Sequence, residues 1–403
     1  MRSIVILLVT AAVAIVAMLS AFSQSAQKIA PAMAAAAFPL NGNAAALLAR
    51  ISERSDQLAN PQGNIAPSAV TLALASKAYL AEPRSFDAIN TLARGSRKDA
   101  SRDTMAILEV AHGLTRRSTG LQMELLAEVG KRNDEQAGFA IIDELLRRNT
   151  EAHGVLLGTL ASAAAREELL PSFRRLLKSR PPWADQFWRQ LAQSAPGLAN
   201  AAQMRMQYAR DGGIVDPEVD RMLVEGLAGQ GLFDDAAMLA RQVWPEKGLL
   251  SPQSAAVRNS GFAAAPDILP FDWRLTNTGD YGASIDPRGK TMMISAIAGA
   301  RGPVVEQIVR LRGSEMTLIV TPGDGVPAKQ LEPLSISLDC VAPAASSRTL
   351  FSGGVGDQAI AIQTGACTWA RLRIDLAVPS TSDGMELSFD SIKLLPAGRS
   401  SGS

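Results

Sequence analysis

The sequence predicts a multidomain α plus β protein: an N-terminal transmembrane helix, an α-solenoid of helical hairpins, and a C-terminal antiparallel β-sandwich. Three observations carry this reading. The run Ile4 to Phe22, IVILLVTAAVAIVAMLSAF, is broken only by Thr10 and Ser20. From Ala44 to about Pro245, apolar residues recur at spacings of three and four, as on one face of a helix. Beyond Pro270 the period switches to two, the alternation of half-buried strands.

The apolar run comes first. As a helix it spans about 28 Å, close to the roughly 30 Å of bilayer hydrocarbon. Arg2 precedes it and no further cation occurs before Lys28, a bias that keeps the N-terminus cytoplasmic and sends the remaining chain across. Two readings stay open. The run is longer than the core of a secretory signal, which favours an uncleaved anchor over residues 1–26. A signal peptide cut at Ala21-Phe22-Ser23 or Ser23-Gln24-Ser25 is the alternative. Both export the bulk of the chain. Arginine outnumbers lysine and alanine is abundant, which suggests a GC-rich bacterial source. The expected location is therefore the inner membrane, single-pass, with the bulk in the periplasm, or the periplasm or medium after cleavage.

Composition bounds the rest. The 403 residues are 47% hydrophobic, enough for two cores beyond the anchor. Forty basic residues against 39 acidic ones leave a net charge of +1, so no overall field points to nucleic acid. Only Cys340 and Cys367 occur. In an exported chain they can pair.

Residues 27–245 read as a helical array. An Ala-rich stretch to Ala37 ends at the breaker Phe38-Pro39-Leu40-Asn41-Gly42. Helices are then expected at 67–81, 86–94, 102–116, 121–131, 136–147, 155–166, 171–178, 184–195, 199–209, 217–228 and 234–243. Related segments recur at Met123 to Ala127, Thr159 to Ala163, Trp188 to Ala192 and Leu223 to Leu227, a period of about 30 to 36 residues that marks stacked helical hairpins. Such an array holds a peptide or protein on its concave face, or acts as a spacer. Arg116-Arg117, Arg147-Arg148 and Arg174-Arg175 sit where helix C-termini are expected and offset the helix dipoles there. Trp183 and Trp188 are read as hairpin core.

Residues 246–269 are expected to form a linker, and 398–403 a disordered tail. Between them, at 270–397, strands are expected at 271–275, 291–297, 304–311, 316–320, 334–340, 359–363, 372–378 and 385–389, eight or nine in all with turns such as Pro322-Gly-Asp-Gly325. Cys340 shares parity with Leu334, Ile336 and Leu338 and should point inward. Cys367 precedes the strand holding Leu372 and Ile374, so a disulfide is expected, with two buried thiols as the alternative.

The stretch Leu227-Ala-Gly-Gln-Gly-Leu-Phe-Asp-Asp-Ala-Ala-Met-Leu-Ala240, closing at Pro245, resembles a tetratricopeptide repeat, and Leu74 to Arg94 matches more weakly. Phe271-Asp-Trp273, the central Arg310 to Ile319 and the closing Leu387-Ser-Phe-Asp-Ser-Ile-Lys-Leu394 resemble the galactose-binding-like jelly rolls of carbohydrate-binding modules. The resemblance implies a jelly-roll fold and carbohydrate binding. Fold likeness alone does not assign a ligand.

Motifs with chemistry are scarce. Gly289-Lys290-Thr291 lacks the earlier glycine and the following helix of a phosphate-binding loop, and reads as a turn. His112 and His153 are the only histidines and complete neither a metal set nor a nucleophile-activating arrangement. Asp375, Glu386 and Asp390, expected on adjacent closing strands, alternate as outward polar positions. No catalytic residue, metal or cofactor is expected. One binding hypothesis survives: Trp369 has parity opposite to Leu372 and Ile374, which places it with Arg371 and Arg373 away from the core, with a buried Trp369 as the alternative because parity is unreliable at a strand start. An exposed indole beside guanidinium donors can stack on a sugar. Tyr281, in the expected loop Gly279-Asp-Tyr-Gly282, is a second aromatic of this kind.

The expected function is a non-catalytic, membrane-anchored binding or scaffold protein. The combination resembles accessory proteins of bacterial exopolysaccharide or cell-envelope assembly, in which the array holds a protein partner and the sandwich a glycan or second protein. A carbohydrate-active enzyme with an appended binding module, and a purely structural or oligomerisation role, stay open as alternatives.

Overall fold

The computed structural model describes residues 2–59, 66–96, 104–114, 118–247, 256–344, 347–356 and 358–397. The chain forms two compact units, 1–156 and 157–403. Arg116-Arg117 and the expected tail 398–403 lie outside the described residues.

The first unit opens with α1 (Arg2–Ala26), whose 25 residues span about 37 Å. Its stretch Val9–Ala26 is long and apolar enough to cross a membrane and only 6% of it is buried. Then come α2 (Pro31–Ala37), α3 (Gly42–Ala59), α4 (Ala69–Ala81), α5 (Phe86–Ser96), α6 (Thr104–Leu114), α7 (Thr119–Lys131) and α8 (Glu135–Arg148). Several start at a cap visible in the sequence: Ser68, Ser118 and Asp134 accept the backbone N–H of Thr71, Leu121 and Ala137. From α3 onward each helix packs on the next, and α3, α5 and α7 pack on one another in a row, as expected of stacked hairpins. Gly42 is required where α3 passes α4, because a Cβ there would sit 2.5 Å from Glu82 Cβ.

The boundary between the units falls within α9 (His153–Ala163). In the second unit the array continues as α10 (Leu170–Lys178), α11 (Ala184–Ala192), α12 (Leu198–Arg210), α13 (Pro217–Gly229) and α14 (Phe233–Val243). Here α10, α12 and α14 form one row, and α11 packs on α13. Hydrogen bonds run between successive repeats. Asn200 Nδ2 donates to Ala164 O, 36 residues back; Gln230 Nε2 donates to Ala195 O, 35 residues back; and Arg180 Nη2 donates to Gly212 O, 32 residues on. Each satisfies a carbonyl at or just past a helix end, which the helix cannot satisfy itself. The repeat period is thus written into the bonding as well as the pattern. Trp183 and Trp188 are core, as read from the sequence, within a cluster that includes Phe173, Phe187 and Tyr208.

The remaining chain is a sandwich of ten described strands: β1 (Arg274–Leu275), β2 (Tyr281–Asp286), β3 (Thr291–Ala296), β4 (Arg301–Arg310), β5 (Glu315–Pro322), β6 (Leu334–Ala342), β7 (Arg348–Gly354), β8 (Ile360–Gln363), β9 (Trp369–Ala377) and β10 (Met385–Pro396). One helical turn, α15 (Ala328–Leu331), links β5 to β6. All pairings are antiparallel, in the sheets β1-β4-β9-β6-β7 and β2-β3-β10-β5-β8. With β1 and β2 set aside as additions, β4-β9-β6-β7 facing β3-β10-β5-β8 is the eight-strand jelly-roll order. The inward residues are those the period of two selects: Leu334, Ile336, Leu338 and Cys340 on β6, Leu372, Ile374 and Leu376 on β9, and Leu387 and Phe389 on β10. Cys340 and Cys367 form a disulfide.

Three details differ from the sequence reading. The strands β2 and β7 were not expected; both are rich in Gly, Ser and Thr, which weakens the apolar alternation. Only Arg274 and Leu275 pair as a strand near 271–275, because Phe271, Asp272 and Trp273 are buried in an irregular segment held by side-chain bonds. Consecutive strands β9 and β10 lie in opposite sheets. Asp375 is therefore not on a strand adjacent to Glu386 and Asp390, since a jelly roll sends the chain across the core between them.

Candidate functional site

Trp369 opens β9 on the face its parity predicts, away from the sandwich core and alongside Arg371 and Arg373. That face is not free at Trp369. The indole is 1% exposed, enclosed by Phe233 of α14 at 6.0 Å and Phe271 at 5.4 Å between ring centroids. Its N–H donates to Asp234 Oδ1 at 3.2 Å. Arg310 lies 5.7 Å from the ring centroid and 3.7 Å from the same Asp234 carboxylate. Of the two readings of Trp369 the structure shows the buried one, an anchor between helix and sheet. Alternation states which face a side chain occupies; it does not state what covers that face.

Arg371 and Arg373 do share the face with Trp369, but both meet carboxylates. Arg371 Nε is 3.9 Å from Glu306 Oε2, and Arg373 Nε donates to Asp375 Oδ2 at 2.8 Å. Across the strands, Arg371 lies opposite Ile308 and Asp339, and Arg373 opposite Glu306 and Ser337. This part of the sheet is a charge-paired surface. Arg371 also lines a crevice of about 160 Å³ with Glu225, Phe233, Arg274, Glu306 and Ile308, where Arg274 Nη2 meets Glu225 Oε2 of α13 at 3.1 Å.

Tyr281 is the first residue of β2, not a loop aromatic, and it packs half-buried against the sandwich core. Its hydroxyl occupies the space a Cβ at Gly302 would need. Gly302 pairs with Leu376, whereas Trp369 pairs with Arg310 at the other end of β4, roughly 26 Å away along the strand. The structure does not bring Tyr281 and Trp369 into one site.

The helical repeats offer two further surfaces. Between α4, α5 and α6 an apolar groove of about 610 Å³ is lined by Tyr79, Ile89, Leu92, Ile107, Val110 and Leu114, among others. Val110 and Leu114 are mostly exposed although large and apolar. Sequence reasoning did not single them out. The available signal was that α4 and α6 are apolar on more than the single face a buried stripe requires. Between α10 and α12 a cleft of about 300 Å³ is lined by Arg174, Lys178, Arg180, Tyr208 and Asp211. Of its cations, Lys178 and Arg180 lie at or just past the α10 C-terminus, where they offset the dipole.

Titratable side chains are drawn into packing. Glu53 is buried on α3. Burial pushes its carboxyl above the usual carboxylate range, against the pull of Arg94 and the Thr91 hydroxyl. Arg94 also approaches Glu124, so the two carboxylates flank one guanidinium between helices. Arg205 and Asp220 form a buried bidentate pair, with Nε–Oδ1 at 2.7 Å and Nη2–Oδ2 at 3.0 Å. Burial raises the Asp220 carboxyl, and Arg205 opposes it. His112 Nε2 lies 3.3 Å from Glu144, and His153 Nε2 is 2.7 Å from Leu146 O. Among the described residues no group of three His, Cys, Asp or Glu side chains is placed to hold a metal ion. Residues 286–291 form the β2–β3 turn, with Lys290 at φ 53° and the Arg288 N–H donated to Asp286 Oδ1.

Comparison of the sequence with protein-family models and with curated proteins gives no match.

Proposed function

We propose that this chain is a non-catalytic scaffold, anchored in the bacterial inner membrane through α1 with its bulk in the periplasm, and that it serves exopolysaccharide or cell-envelope assembly. The helical repeats hold a protein partner. The sandwich supplies a rigid arm with a glycan or a second protein as its ligand.

The observation that carries this reading is the groove between α4, α5 and α6. Its lining is apolar and it is open, the kind of surface that takes the apolar face of an amphipathic helix presented by a partner. The resemblance of the repeats to tetratricopeptide hairpins supports the same role. Because Trp369 is enclosed, a glycan would have to meet the outward positions of the second sheet, such as Ser284, Ser295, Thr317, Glu386 and Lys393.

The test is purification of the full chain in mild detergent from its native membrane. Envelope or polysaccharide-assembly proteins are expected to accompany it, and Ile107→Asp with Val110→Asp should release them while circular dichroism stays unchanged. Recovery as a partnerless monomer, or retention of the same partners by the double variant, would overturn the scaffold reading. If the full chain fails to bind extracted bacterial polysaccharide, the glycan arm falls without touching the groove.

A further inference from the structure

The last turns of α1 are built into the first helices of the array. Ser23, fully buried, donates its hydroxyl to Ala34 O on α2 at 2.7 Å and accepts a hydrogen bond from Asn41 Nδ2 at 2.8 Å. Asn41 also accepts the Ala44 N–H at 3.0 Å, at the start of α3. One buried polar knot therefore joins α1, α2 and α3. A leader removed at Ala21-Phe22-Ser23 or Ser23-Gln24-Ser25 would take this serine or cut beside it, leaving buried groups unpaired. Both candidate cleavage sites, moreover, lie within the continuous helix α1.

The same contacts orient α2 and the turn after it. The short connection at 27–30 brings α2 back against α1, on which it packs. Because Asn41 is bonded to Ser23, the Phe38-Pro39-Leu40 turn just before it is held beside the last turns of α1. The chain reverses again at Phe38-Pro39-Leu40, where the Asn41 N–H bonds Phe38 O. No charged residue occurs from Ile29 to Ala49. Leu40 is 70% exposed and Met33 60%, and α1 exposes large apolar residues of its own, Met18 and Phe22 among them, apolar surface that water does not favour.

We propose that α1 is retained in the working protein and that the Phe38-Pro39-Leu40 turn, with the exposed face of α2, lies in the headgroup–acyl boundary of the leaflet α1 leaves. The occupant of this surface is lipid: it is contiguous with the membrane helix, lacks charge throughout, and exposes large apolar side chains. The first hairpin of the array would then be docked on the bilayer instead of swinging on a tether. This inference rests on the membrane reading of α1.

The experiment uses full-length chains carrying Met18→Cys, Leu40→Cys or Leu58→Cys. The native cysteines are joined to each other and leave no free thiol. Each variant is labelled with a nitrobenzoxadiazole dye and reconstituted in phosphatidylethanolamine–phosphatidylglycerol vesicles containing nitroxide on the acyl chains. Leu58 is the aqueous reference, about 24 Å along α3 from Gly42. Quenching at Met18 and Leu40 is expected to exceed that at Leu58 at least threefold, and the intact mass of membrane-extracted protein should include residues 2–26. Quenching at Met18 with Leu40 no different from Leu58 would overturn the docking and leave the anchor standing. No quenching at Met18 would remove the anchor as well. A chain beginning near Gln24 or Ala26 would overturn retention.

Discussion

The indole N–H of Trp369 donates to Asp234 Oδ1 at 3.2 Å across 135 residues of sequence. One side chain at the start of a sandwich strand is thereby fixed to the first turn of the last long helix of the array. Phe233 and Phe271 pack against the ring, and Arg310 covers it while facing the same aspartate. The helices from α10 onward and the sandwich accordingly lie within one compact unit.

Trp369→Ala should therefore cost about 3–5 kcal/mol of stability in this unit, the range for emptying a buried aromatic site. In urea, helical and sheet signals that fall together in the parent should separate in the variant. Asp234→Ala should cost only about 1 kcal/mol, one partly exposed hydrogen bond. A Trp369→Ala protein that unfolds at the parental midpoint would contradict the anchoring role.

Joining Cys340 to Cys367 closes a loop across 27 positions. In the chain-entropy description this stabilises by about 3.5 kcal/mol. Cys340→Ser with Cys367→Ser should lower stability by that order, read from chemical denaturation. The unreduced, denatured parent should show no titratable thiol.

The buried pair Arg205–Asp220 predicts an asymmetry. Asp220→Ala leaves a guanidinium unpaired between α12 and α13 and should cost about 3–5 kcal/mol, whereas Arg205→Met with Asp220→Leu should recover most of that loss. A double-mutant cycle checks it. Equal damage from the single and double changes would mean that packing volume, and not charge, holds the two helices together.

Glu53 gives the array a pH dependence with a definite sign. Burial raises its folded-state carboxyl above the ordinary 4.5, and Oε1 has no hydrogen-bond partner among the described residues. The folded state thus holds the proton more tightly than the unfolded state. This contribution is fully present below the ordinary value and is lost as pH rises through the raised one. Denaturation between pH 4.5 and 7 should show the parent losing more stability with rising pH than Glu53→Gln does. Parallel curves would remove Glu53 as the cause.

Much of the fold was legible because it rests on local repetition. Several helices from 67 to 243 obey spacings of three and four with Ser or Asp caps, and the inward faces of β6 and β9, and of β10 as far as Phe389, alternate; past the register shift between Phe389 and Ser391 the buried Ile392 and Leu394 take the opposite parity. The strands β2 and β7 escaped because Gly, Ser and Thr blur that alternation. The candidate site was legible only in part. Parity put Trp369, Arg371 and Arg373 on one face correctly, but whether that face meets solvent depends on Phe233 and Asp234, far away in the chain. No local pattern encodes their arrival.

By itself the sequence determined the apolar N-terminal helix, the run of hairpins, the sandwich and the one available cysteine pair, since each derives from periodicity, length or count over neighbouring residues. Only the tertiary structure decided that Trp369 is an anchor and not a platform, that Tyr281 meets the opposite end of β4 from it, and that Ser23 is tied to Asn41 and Ala34. Those outcomes depend on which distant surfaces meet. Burial is a property of the pair of surfaces in contact, and a one-dimensional pattern specifies only one of them.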